Sequence, residues 1–323
     1  MIKTRKGYDF DDLLLIPKQS NIVHRDLVDL SVYLRQFNLD IPIIASPMKG
    51  IISPEIIIEI SKLGGLGILH RFWHDSSSMV KVRLETIRRL SKECKRFGVA
   101  VALQDPDIEA VLAFNPDVVC IDIANGNLSS LRRYVEEIFS LICNNKLDIM
   151  IMAGNVATLD AANALYESGA ELVRVGIGSG ALCTTRSVTG VGVPQLTAIN
   201  DCSESGAYIV ADGGIRNSGD IVKALSCGAD VVMIGSILAK SYESEHNGVI
   251  YGMASRKMQE EYYHSVKSVE GLEHDVKKQV NLKDLIDELV WGIRSACTYL
   301  DIAQISELRD NAYFIETGRG SIR

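Results

Sequence analysis

Eight short apolar runs rich in β-branched residues recur along the chain, each followed by a longer amphipathic stretch, and this alternation limits the fold more than any other property of the sequence. The runs occupy residues 41–45, 66–69, 98–102, 118–122, 149–153, 172–175, 208–211 and 230–234, spaced about 20–35 residues apart, the length of one βα unit. Uninterrupted apolar runs suit strands buried on both faces of a parallel sheet. The segments between them carry helical periodicity. Residues 159–169 end at Gly169, a helix stop, and residues 218–228 repeat the pattern, opening on Ser218 as N-cap and ending at Gly228. Eight such units in 323 residues predict a (β/α)8 barrel, with a doubly wound open sheet as the alternative. No internal Gly/Pro/Ser-rich linker interrupts the pattern, so residues 1–323 are expected to form a single catalytic-size domain with insertions.

Composition narrows the function classes. With 47% hydrophobic residues the chain is not a disordered polypeptide. Its 34 basic and 41 acidic residues give a net charge of −7, which opposes general binding to nucleic acid but allows a local pocket for one phosphate. No apolar run reaches the ~20 residues of a membrane span. The basic start through Lys3, Arg5 and Lys6 runs into Tyr8-Asp9-Phe10-Asp11-Asp12 instead of an apolar signal core, so a cytoplasmic location is expected. Seven cysteines, at 94, 120, 143, 183, 202, 227 and 297, include no C-x-x-C pair, which argues against a zinc ribbon or redox dithiol. Free thiols are expected, with Cys120 in the core.

In a (β/α)8 barrel, chemistry sits at the C-terminal ends of the strands. There the sequence turns polar and glycine-rich: 46–50 after the first strand, 122–127 after the fourth, Gly154-Asn155 after the fifth, 176–186 after the sixth, Asp212-Gly213-Gly214 after the seventh and Gly235-Ser236 after the eighth. The last two pair as a phosphate site, because glycine lets backbone N–H groups approach phosphate oxygens. The same glycines would serve plain tight turns. The loop after the sixth strand combines Gly176, Gly178 and Gly180 with Cys183, Thr184, Thr185 and Arg186. Carbonyl oxygens in such a loop suit a hard cation, and a thiolate beside a guanidinium is a nucleophile; a structural cysteine beside a turn is the competing reading.

Residues 176–186, continuing through Thr189 to Gln195, resemble the cysteine loop of the IMP dehydrogenase/GMP reductase family. Residues 8–20 (YDFDDLLLIPKQS), 212–215, 251–255 and 292–299 resemble further blocks of that family, so the likeness spans nearly the whole chain. Three features resemble its reductase branch. The chain has no room for the paired regulatory domain of most dehydrogenases. Residues 121–126 (IDIANG) are similar to the reductase version of that loop. No Arg-Tyr pair occurs in the expected flap-like insertion at 251–290, where 267–271 (KSVEG) resembles the reductase stretch with a catalytic glutamate; the one Arg-Tyr, Arg133-Tyr134, falls in the helix after strand four.

The resemblance implies NADPH-dependent reductive deamination of GMP to IMP and ammonia through a covalent bond to Cys183, with Thr185 and Glu270 as the proton-transfer pair. It implies Asp212, Gly213, Gly214, Gly235 and Ser236 around ribose and 5′-phosphate. Met48, Gly252, Met253, Ala254, Lys267 and Gly271 would frame the base. Asp122, Ile123, Ala124, Gly176 and Ile177 would face the cofactor, and the carbonyls of Gly178, Gly180 and Cys183 would ligate K+. It further implies a homotetramer. An IMP dehydrogenase lacking the regulatory domain and a non-catalytic purine-nucleotide-binding barrel are the alternatives. The sequence departs from the family pattern at Lys49-Gly50, Ser179, Ser236, Lys267 and Trp73-His74. At Arg309-Asp310-Asn311 the reductases carry a Ser-Arg-Arg-like run for the cofactor phosphate, so NADH is also admitted.

Overall fold

The computed structural model describes residues 3–73, 77–263 and 265–318; His74 lies outside them. Among the described residues, eight strands close into a parallel barrel: β1 (Ile43–Ala45), β2 (Leu66–Leu69), β3 (Gly98–Val101), β4 (Val118–Asp122), β5 (Met150–Val156), β6 (Leu172–Val175), β7 (Tyr208–Asp212) and β8 (Val231–Ile234). Closure is made by β8 pairing with β1, with Val232 opposite Ile43 and Ile234 opposite Ala45. This excludes the open sheet. The helices that follow the strands are α1 (Pro54–Lys62), α2 (Ser77–Glu93), α3 (Ile108–Leu112), α4 (Ser129–Asn145), α5 (Leu159–Glu167), α6 (Gln195–Cys202), α7 (Ser218–Ser226) and α8 (Leu282–Leu300). The helix α7 is capped one residue earlier than the sequence suggested: the side chain of Asn217, not Ser218, accepts the N–H of Asp220. Both residue types cap well, and the extended backbone at Asn217 decides between them.

Alternation along each strand sorts the core into two shells. Residues such as Ile44, Leu66, Ile68, Ala100, Val118, Cys120, Met150, Met152, Leu172, Val210, Val231 and Met233 fill the lumen, and Leu34, Phe37 and Leu39 plug its lower end. Their neighbours, among them Ile43, Val99, Val119, Ile151, Val173, Ile209 and Val232, pack outward with the apolar faces of the helices. Continued by two residues, the same alternation makes Asp122, Arg174 and Asp212 the top layer of the lumen. All seven cysteines are free, and burial pushes Cys94, Cys120, Cys202, Cys227 and Cys297 up to about 12. Arg133 and Tyr134 lie in α4, where the Tyr134 hydroxyl accepts the Asp105 N–H at 3.0 Å.

The N- and C-terminal segments are joined outside the barrel. Strand Leu13–Leu15 pairs antiparallel with Phe314–Glu316, and Glu316 bonds Lys6 and the Tyr8 hydroxyl. Between β8 and α8 the chain forms a hairpin of Val249–Tyr251 with Glu273–Asp275. Because α8 starts at Leu282, the stretch 251–290 is part excursion and part barrel helix. Among the described residues no helix is long and apolar enough to cross a membrane.

At the upper end of β2, His70 is 3% exposed and stacks on Trp73, ring centroids 4.9 Å apart. Burial, with Lys49 and Arg83 adding to it, depresses its pKa from 6.5 to about 3. A depressed pKa means that protonation opposes folding: the full stability is present above the unfolded value and falls as pH drops from 6.5 towards 3. Between pH 7 and 5 the protein should therefore lose about 2 kcal/mol more than His70→Phe, measured by urea unfolding. Equal losses in the two proteins would contradict this account of His70.

Candidate active site

Cys183 sits where three backbone segments meet. The loop after β6 bridges antiparallel from Cys183 to Gly271, and Gly271 bridges parallel to Ser255. Leu272 N–H donates to Leu182 O at 2.9 Å, Gly252 N–H to Leu272 O at 2.9 Å, and Glu270 N–H to Ala254 O at 3.1 Å. Contact this close requires small residues: a Cβ on Gly271 would lie 2.8 Å from Ser255 N, and one on Gly252 would lie 2.9 Å from Leu182 O. The excursion after β8 thus delivers Glu270 to the cysteine loop, and Thr184 N–H donates to Glu270 O at 3.0 Å.

The side chains complete a short relay. Cys183 Sγ donates to Thr185 Oγ1 at 3.1 Å, and Thr185 Oγ1 donates to Glu270 Oε2 at 2.8 Å. All three are half-buried. Arg186 does not serve the thiol, contrary to the expectation from its nearness in sequence. Its guanidinium donates to Asp9 at 2.7 Å and to Val193 O at 2.7 Å, because the short helix Thr185–Thr189 begins only after Cys183 and carries Arg186 outward. Asp9 also accepts Gln195 N–H at 2.6 Å, so the N-terminal segment clamps both ends of this stretch. Sequence reasoning missed Asp9, which no local signal links to a loop so distant in the chain.

The other expected site residues line the mouth in groups. Glycine is required at 213 and 214, where φ is +101° and +81°, and Phe10 and Ser179 pack where side chains would stand. Among the described residues, no protein acceptor takes the N–H of Gly213, Gly214, Gly235 or Ser236. Four open donors on the loops after β7 and β8 are groups that could hold an anion. Met48 lies beside Gly235, its Sδ occupying the space where a Cβ on that glycine would fall. Met253 packs with Phe72, Tyr251 and Met258. Gln259 braces the base-side segment, donating to Ala254 O at 3.1 Å and Ser268 O at 2.7 Å and accepting Lys267 N–H at 2.9 Å. The Lys267 side chain itself is exposed.

The lumen's top layer is charged. Arg174 donates to Asp122 Oδ1 at 2.6 Å and to Asp212 Oδ2 at 2.7 Å. Arg71 Nε donates to Asp122 Oδ2 at 3.2 Å, and Asn155 Nδ2 to Asp212 Oδ2 at 2.8 Å. Burial raises the Asp122 pKa, but Arg174 and Arg71 outweigh it and hold the carboxyl below its ordinary value. Both Asp122 oxygens are thus committed to arginines. Ile123 is half-buried and Ala124 exposed at the rim. Gly176 offers a cofactor no free backbone group, since its N–H donates to Val156 O and its carbonyl accepts from Asn155. Its neighbour Ile177 packs half-buried against the core. An arginine inside the apolar run 172–175 was the signal for this network.

The departures from the expected pattern also find places. Ser179 Oγ donates to Asp212 O at 3.2 Å, restraining the loop through a hydroxyl. Lys49 lies 3.4 Å from Glu245, with its Nζ 6.0 Å from the Trp73 ring centre, and Gly50 N–H donates to Glu245 at 3.3 Å. Arg309 pairs with Glu204 at 3.0 Å near Gly228, at the end of the barrel where the strands begin.

The closed (β/α)8 barrel carries open N–H donors on the loops after β7 and β8 and a cysteine bonded to a Thr–Glu pair on the loop after β6, the layout of a barrel enzyme with its site at the strand C-terminal ends. The chain belongs to the IMP dehydrogenase/GMP reductase family, whose model matches residues 7–323. It is 32% identical to an inosine-5′-monophosphate dehydrogenase of Cryptosporidium parvum, covering 98% of this chain and 94% of that protein. It is 33% identical to a GMP reductase of Shewanella halifaxensis (95% and 93% covered) and 33% identical to GMP reductase 2 of Bos taurus (95% and 93%). Membership carries oxidoreductase chemistry on purine nucleotides with a nicotinamide dinucleotide. The near-equal identities do not separate the two activities, so the choice falls to the site.

Proposed function

We propose that the protein is a GMP reductase, and the observation that carries the reading is the hydrogen bond from Thr185 to Glu270 beside the Cys183 sulfur. Oxidation of IMP needs a group that activates water after hydride has left. Deamination of GMP needs a group that protonates a departing amine, and a hydroxyl backed by a carboxyl does this. The insertion carries no Arg-Tyr pair and supplies Glu270 in its place.

In this reading Cys183 transfers its proton through Thr185 to Glu270, and the thiolate adds to C2 of the purine, electrophilic because it lies between two ring nitrogens. The Thr185–Glu270 pair returns the proton to the exocyclic nitrogen. The C2–N bond breaks, ammonia leaves, and a thioimidate remains on Cys183. Bound beside Asp122, Ile123 and Ala124, NADPH would supply the hydride that C2 accepts. The C2–S bond then breaks with its electron pair returning to sulfur, and IMP is released. Splitting one displacement into two steps is what the covalent bond contributes.

The open N–H groups of Gly213, Gly214, Gly235 and Ser236 hold the 5′-phosphate, Asp212 the ribose, and Met48, Gly252, Met253, Ala254, Lys267 and Gly271 the base. Asp122, Ile123 and Ala124 border the nicotinamide, with Gly176 and Ile177 shaping the wall behind it. The carbonyl oxygens of Gly178 and Cys183 accept no hydrogen bond among the described residues, and that of Gly180 accepts the Cys183 N–H at 3.0 Å, a set that fits K+. We further propose a cytoplasmic location and a homotetramer, the latter covering the exposed Trp291, Tyr299 and Tyr313.

The test is turnover of GMP with NADPH and with NADH, scoring IMP and ammonia, against IMP with NAD+. Production of IMP and ammonia is expected. Oxidation of IMP without deamination of GMP would transfer the assignment to the dehydrogenase, and nucleotide binding with neither turnover would make the protein a non-catalytic barrel.

A further inference from the structure

Arg174 stands at the top of a lumen whose deeper layers are apolar, and it is 5% exposed. A buried guanidinium is tolerated only when paired, and this one holds two carboxylates on two different strands, Asp122 of β4 and Asp212 of β7. Its flat fork fixes both at once, which a lysine's single ammonium cannot do. Asp212 is the informative partner. Its Oδ2 is taken by Arg174 and Asn155, and its main-chain carbonyl accepts Ser179 Oγ and Gln195 Nε2 at 3.2 Å each. Its Oδ1 accepts no hydrogen bond among the described residues, and the side chain remains 15% exposed at the mouth.

We infer that Arg174 is a positioning residue that locks one oxygen of Asp212 and thereby presents the other to the ribose hydroxyls of the bound nucleotide. The ligand feature it governs is the 2′,3′-diol of a purine ribonucleotide. The inference rests on the proposed nucleotide site but not on the reaction. Because Asp212 also anchors Ser179, four residues before Cys183, an Asp212 fixed by Arg174 sets the ribose and the cysteine loop in one frame.

The experiment is calorimetric binding of IMP and of its 2′,3′-dideoxy analogue, neither of which needs turnover. Removing Arg174 alone leaves Asp122 with Arg71 only and Asp212 with no cation, so the variants are Arg174→Lys, which keeps the charge, and Arg174→Met with Asp122→Asn, which keeps the net charge of the cluster. In the wild type the diol should tighten binding about 30-fold, the strength of hydrogen bonds to an ionised acceptor. In the double variant that preference should fall below about 5-fold, with Arg174→Lys between. A ratio within one variant does not depend on how much protein is folded. An unchanged ratio in both variants, or no preference for the diol in the wild type, overturns the role of Arg174 while leaving the proposed function intact. Failure of the wild type to bind IMP overturns both.

Discussion

Cys183→Ala should lower GMP turnover by at least about 10⁴-fold while leaving the nucleotide affinity within about threefold of the wild type. The two halves of this expectation come from different parts of the site. The proposed phosphate donors at Gly213, Gly214, Gly235 and Ser236 and the carboxylate of Asp212 are untouched by loss of the sulfur. Covalent addition to C2 has no substitute: neither Thr185 nor Glu270 is a nucleophile of comparable strength. The backbone around residue 183 is held by its bridge to Gly271 and by its N–H bond to Gly180 O at 3.0 Å, so alanine should not disturb the loop. Steady-state assay together with calorimetric titration of IMP checks both halves. Residual turnover near the wild-type rate would remove Cys183 from the chemistry.

Glu270→Gln is expected to lower kcat about 10²–10⁴-fold, the usual worth of a positioned general acid or base. Glutamine preserves the shape and still accepts from the Thr185 hydroxyl, 2.8 Å away in the wild type, but it cannot take or return a proton. Thr185→Val cuts the relay at its middle and should show a loss of the same order. The two losses should not add in the double variant, because a relay broken once is broken. Additive losses, or a Glu270→Gln enzyme with unchanged kcat, would make Glu270 a brace for the loop instead of a proton carrier.

The barrel was legible because the strands, buried on both faces, are written as short, mainly apolar runs. The strand ends followed, since the runs stop at polar, glycine-rich residues. Which residues meet across the mouth was not legible from local pattern. Cys183 and Arg186 look like partners at three residues' separation, yet the helix between them begins at Thr185 and turns the guanidinium to Asp9. Glu270 was found through family resemblance alone; as a loop carboxylate it carries no signature until the excursion folds back on the cysteine loop. Arg174 was visible as an anomaly within an apolar strand, but its partners emerge only when the sheet closes. The N-cap of α7 shows the same limit at small scale. Asn217 and Ser218 are both suitable, and only the backbone direction chooses.

The bond between the Cys183 sulfur and C2 is tested most directly by mixing the enzyme with GMP and NADPH, quenching in acid within a turnover, and weighing the intact protein and its peptides. The expected result is a mass gain equal to GMP minus ammonia, located on the peptide containing Cys183 and absent from Cys183→Ala. An unmodified protein at every quench time, with IMP accumulating normally, would contradict the covalent mechanism.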